Sequence, residues 1–129
     1  METENSRLLA VLRAELKYLD SGGYRSQSWR PKFIFEDSPS CLNYNDPWRS
    51  KPCAQCILMQ LVPPEKRTEQ IPCRFIPLNA VGSTVESLYQ TATQNELEAE
   101  VRNWLKAKID FLETEERVAE AERAAKVCA

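Results

Sequence analysis

The sequence predicts an α+β protein: an N-terminal helix packed on a long C-terminal helix, joined by a proline-rich, metal-stapled insert that bears a small two-stranded ribbon. Three observations predict it. All eight prolines lie between residues 31 and 77, and the only glycines, Gly22, Gly23 and Gly82, bracket that stretch. Apolar residues recur at helical spacing outside the brackets. Inside them, Lys32-Phe33-Ile34-Phe35 and Arg74-Phe75-Ile76 are short runs of β-favouring residues, each hemmed in by proline, and are expected to pair.

The first helix is expected over residues 7–19, with Asn5 or Ser6 as N-cap and Gly22 or Gly23 as the stop. Leu8, Leu9, Leu12, Leu16 and Leu19 advance in steps of three and four and form one apolar stripe. After Gly82, Ser83 and Glu86 make an S-x-x-E capping box for a short helix through Tyr89. A further box, Thr93 with Glu96 or Asn95 with Glu98, starts the long helix. Its face is Leu97, Val101, Trp104, Leu105, Lys108, Ile109 and Leu112, which suits docking on the first helix.

Beyond Leu112 the chain keeps high helix propensity but offers only Val118 and alanines for burial. The domain plan is therefore one metal-stapled unit over residues 1–112, its insert spanning about 24–81, followed by an exposed helical extension over 113–129. That extension reads as a solvated helix that frays at its end, with a contact for a partner or a second copy of the chain as the alternative.

A length of 129 residues suits a single core. An apolar share of 43% with 28% charged residues excludes a wholly disordered chain. No apolar run approaches the roughly 18 residues of a membrane span, and residues 1–6 are polar and acidic, unlike a secretory signal. The expected location is cytoplasmic, where thiols stay reduced and clustered cysteines serve as metal ligands or redox centres rather than disulfides.

Four of the five cysteines lie in the insert as Cys41-x11-Cys53-x2-Cys56-x16-Cys73. A segment this rich in proline lacks backbone donors for a long helix or broad sheet, so something else has to order it. Two residues between Cys53 and Cys56 allow one tight turn to aim both sulfurs at one ion, and Cys41 and Cys73 complete a tetrahedron. Pro52 and Pro72 directly precede two of these ligands and pre-set the backbone there. The chain has no histidine, so mixed Cys/His shells are excluded and an all-thiolate site is left. Zinc is the expected metal, saturated by four thiolates and structural in role; an iron–sulfur cluster is the other group this ligand set holds. Loss of the metal should unfold the middle of the chain. Cys128 stands apart and reads as an incidental exposed thiol.

Residues 21–80 carry eight Lys/Arg against five Asp/Glu, and residues 81–129 carry six against ten. Within the basic stretch, Tyr24-Arg25, Trp29-Arg30-Pro31-Lys32 and Trp48-Arg49-Ser50-Lys51 interleave aromatic and cationic groups as single-strand nucleic-acid binders do. At so small a charge excess the favoured reading is plainer: Trp29 and Trp48 pack on the metal loop, and the arginines satisfy backbone carbonyls. Glu36, Asp37 and Asp46 could in principle act as acid and base, but turn capping explains Asp37-Ser38-Pro39 and Asn45-Asp46-Pro47 more simply. The run Ile57, Leu58, Met59, Leu61 and Val62 reads as the small core beneath the cysteines. With no phosphate loop and no nucleophile–histidine pair, an enzyme is not expected.

The function these features point to is a non-catalytic interaction or adaptor module, with a zinc site shaping the surface that meets a protein partner. Single-stranded nucleic-acid binding by a zinc protein is the first alternative, and a small iron–sulfur redox protein the second.

Overall fold

The computed structural model describes residues 4–25 and 32–128. The expectations for Trp29, Arg30 and Pro31, and for the Cys128 side chain, lie outside what is described. Helix accounts for 64% of the structure and there is no strand among the described residues, so the fold is helical rather than α+β.

Helix α1 (Glu4–Asp20) buries Leu8, Leu9, Leu12 and Leu19, with Leu16 packed at the edge of the same cluster. It ends where Gly22 turns to φ +81°, a left-handed conformation that side chains disfavour. The next residue also has to be glycine for a different reason. A Cβ on Gly23 would stand 2.4 Å from the Tyr18 ring, which lies directly over the backbone.

Helix α2 (Val85–Thr91) begins one residue later than the sequence suggested. Thr84, not Ser83, is its N-cap, and Ser87 closes the box in place of Glu86. Helix α3 (Gln94–Cys128) begins at the first of its two candidate boxes: Thr93 Oγ1 accepts from the Glu96 amide at 3.1 Å, and Glu96 accepts from the Thr93 amide at 2.9 Å. These bonds hold the Glu96 carboxyl below its ordinary range.

The 35 residues of α3 span about 50 Å, and α1 lies antiparallel along them. Ion pairs Arg13–Glu113, Asp20–Arg102 and Arg25–Glu98 run down the seam and fix that direction. Leu97, Val101, Leu105, Ile109 and Leu112 form the buried face of α3, while Trp104 packs at its edge. Leu112 is the last buried residue among those described; Phe111 and Val118 stay exposed. No helix among the described residues is long and apolar enough to cross a membrane.

The expected ribbon between Lys32–Phe35 and Arg74–Ile76 does not form, and the hydrogen bonds show why. Phe35 sits at φ +67°, inside a tight turn closed by Asp37 N–H donating to the Phe33 carbonyl at 3.1 Å. The amides a sheet would need are taken by side chains from elsewhere: Ile34 N–H donates to Tyr89 Oη at 2.8 Å, Phe35 N–H to Tyr24 Oη at 3.0 Å, and Phe33 N–H to the Asp37 carboxylate at 2.6 Å. On the other side, Pro72–Phe75 is a turn of 3-10 helix. The two segments do meet, through side chains: Arg74 forks onto both oxygens of buried Glu36, at 2.6 and 3.0 Å, and lies 4.9 Å above the Phe33 ring.

The rest of the insert is a succession of tight turns, with 3-10 helix at Cys53–Gln55, Ile57–Leu61 and Pro64–Lys66. Proline starts or precedes several of them, supplying the fixed φ that a turn begins with. Ile34, Phe35, Leu58, Val62, Ile76 and Leu78 from this region share one core with the leucines of α1 and α3. Ile57, Met59 and Leu61 pack against that core, half-buried.

Candidate metal centre

Each of the four insert cysteines stands on a different part of a tight turn. Cys41 accepts its own turn's closing bond from the Tyr44 amide at 3.0 Å, and Cys53 opens the 3-10 turn Cys53–Gln55. Cys56 caps that turn in an extended conformation, its N–H donating to the Cys53 carbonyl at 2.9 Å. Cys73 follows Pro72 in the turn Pro72–Phe75. Pro52 is extended just before the Cys53 turn, and Pro72 is the buried first residue of its own.

All four cysteines line one small cavity of about 30 Å³, together with Phe35, Leu58, Met59 and Val62. The space is enough for two or three water-sized bodies, given that one water needs about 10–15 Å³. None of the four is in a disulfide. Among the described residues no group of three or more His, Cys, Asp or Glu side chains is already arranged to hold a metal ion. The backbone thus brings the four thiols to one cavity.

Three of the four sulfurs receive N–H donors. Cys41 Sγ accepts from the amide of Asn43, two residues on, at 3.4 Å, and Cys56 accepts from the amide of Leu58, at the same offset. Cys53 Sγ accepts from Arg49 Nη2 at 3.7 Å. Such donors orient the sulfur lone pairs, and at Cys56 the Leu58 amide favours the thiolate. Opposing them, burial pushes the Cys56 and Cys73 thiols above the ordinary range, with Glu36 and the other thiols adding to the effect at Cys73.

Two contributors carry no cysteine spacing and escape a motif reading. Asn43 is buried and exchanges two bonds with Lys51, accepting from its amide and donating to its carbonyl, both at 3.0 Å, so that one side chain closes the loop between Cys41 and Cys53. Arg49, at φ +47°, turns its guanidinium back to Cys53. An asparagine that pairs like a backbone strand has no sequence signature. For Arg49 the only available signal is a cation four residues ahead of Cys53.

Trp48 does not pack on the cysteine loop. It is 88% exposed, which overturns the packing role expected for it. The arginines of these segments bond side chains in place of the expected carbonyls: Arg25 pairs with Glu98, Arg49 donates to Cys53 Sγ and Arg74 pairs with Glu36. Asp37 and Asp46 act as turn caps: Asp37 accepts from the Phe33 amide, and Asp46 accepts from the amides of Trp48 and Ser50, both at 3.1 Å, and from the Ser50 hydroxyl at 2.6 Å, which lowers its pKa. Glu36 is committed to Arg74.

No family model, no curated protein and no solved structure matches this chain.

Proposed function

We propose that the chain is a non-catalytic interaction module whose insert is organised by a structural zinc ion bound by Cys41, Cys53, Cys56 and Cys73. The observation that carries this reading is the convergence of all four thiols on one apolar-walled cavity, from turns spread over more than thirty residues. The donor set is soft and all-sulfur, which suits zinc. The backbone amides of Asn43 and Leu58 and the guanidinium of Arg49, aimed at three of the sulfurs, suit thiolates under a metal's charge. With four thiolates a zinc ion keeps no open position, so its contribution is a cross-link between turns. The same reading assigns the protein to a reducing compartment, the cytoplasm, and its shaped loop surface to a macromolecular partner.

Elemental analysis of protein purified without oxygen tests it. One zinc per chain is expected, lost in Cys53→Ser and Cys73→Ser. A folded, metal-free protein with four titratable insert thiols overturns the reading. Visible absorption bleached by dithionite overturns zinc in favour of an iron–sulfur cluster.

A further inference from the structure

Beside the cysteine cavity runs an open groove of about 610 Å³, lined by Trp48, Arg49, Lys51, Cys53 and Arg67 among others. Its volume is in the range of roughly 300–1,000 Å³ typical of ligand sites. The groove's cations outnumber its one acid, Glu69. Trp48, at 88% exposure, is the most exposed aromatic among the described residues. Yet the loop that carries it is held. Asp46 fixes the amides at 48 and 50, Asn43 closes the loop base, and Arg49 is anchored to Cys53.

An exposed indole on a braced loop, with cations beside it and elsewhere in the lining of the same groove, is the arrangement that holds alternating bases and phosphates. Packing does not account for Trp48, since almost none of its surface is covered. An acidic peptide would use the cations, but its carboxylates have no use for the indole. We infer that this groove binds single-stranded nucleic acid, with a base stacked on Trp48 and phosphates paired to Arg49, Lys51 and Arg67. The inference rests on the interaction-module reading and names the partner for it.

The test is fluorescence anisotropy of labelled U12 and dT12 with the full chain, alongside its zinc content. Binding is expected, and three phosphate contacts should weaken it by about 20-fold between 50 and 200 mM salt, from a single-strand slope near −0.7 per contact. Trp48→Ala should weaken it by about 10-fold or more, Trp48→Phe much less, with zinc content and helicity unchanged in both. Lys51→Glu should weaken it and flatten the salt slope. Tighter binding of U12 than dT12 would identify RNA as the natural strand, and the reverse DNA. If zinc-loaded wild type binds neither oligonucleotide at 50 mM salt, or if Trp48→Ala binds as well as wild type, the inference fails while the zinc reading stands. Binding of a poly-glutamate peptide in their place overturns it in favour of an acidic protein partner.

Discussion

Glu15 shows how one residue on an apolar stripe is made tolerable. It is 1% exposed on α1, and two hydroxyls hold it: Tyr24 Oη donates to Oε2 at 2.7 Å and Ser38 Oγ to Oε1. Burial raises its pKa above the ordinary 4.5, and the hydroxyl donors only partly offset that. Tyr24 is raised as well, by burial first and then by Glu15, and so remains a donor. For a carboxyl raised on folding, the unfolded chain ionises first as pH climbs. The contribution to stability is therefore complete below pH 4.5 and is lost as pH rises through the higher folded value. Glu15→Gln should show a flatter stability profile than wild type in urea unfolding from about pH 4 to pH 8. Parallel profiles would mean that Glu15 is not the group responsible. Nothing in the spacing of the leucines announces this residue, because it shares their helical face and its partners lie 9 and 23 residues further on.

Among the elements, the contact between the turn at Phe35 and the turn Pro72–Phe75 is set by charge rather than by backbone pairing. Glu36 is 6% exposed at its side chain and Arg74 24%, so removing the arginine strands a desolvated carboxylate. Arg74→Ala should cost about 3 kcal/mol, in line with breaking other buried pairs. The exposed pair Arg13–Glu113 spans the helix seam at a similar distance, and Arg13→Ala should cost less than about 1 kcal/mol. Chemical denaturation of the two variants side by side reads the contrast, and equal losses would contradict it. The helices themselves were legible: the stripes of α1 and α3 follow from spacing alone, while the choice of the Thr93–Glu96 box over Asn95–Glu98 came from the structure. The ribbon was misread because its runs have strand composition, while the amides are claimed by Tyr24 and Tyr89, which no local pattern reveals.

At the scale of the whole molecule, the insert and the helix pair share one core, with Ile34, Phe35, Leu58 and Val62 set among Leu12, Leu105 and their neighbours. Loss of the proposed zinc should therefore not unfold the insert alone. Structural zinc contributes about 10–16 kcal/mol in small peptides, comparable to the whole stability of a domain. A strong chelator should lower the melting temperature of the helical circular dichroism signal in a single cooperative transition. Melting of α1 and α3 that is indifferent to chelator would show that the insert carries no stabilising metal. The sequence by itself determined the two amphipathic helices, the glycine stops, and the four cysteines with the prolines that stiffen two of them. These depend on spacing within a few turns, where periodicity and fixed φ act locally. Only the tertiary structure decided that the insert has no sheet, that Glu36 belongs to Arg74, that Asn43 closes the cysteine loop, and that Trp48 faces outward. Each of those depends on which group reaches a buried amide or carboxylate first, a competition between distant residues that is settled when the core closes.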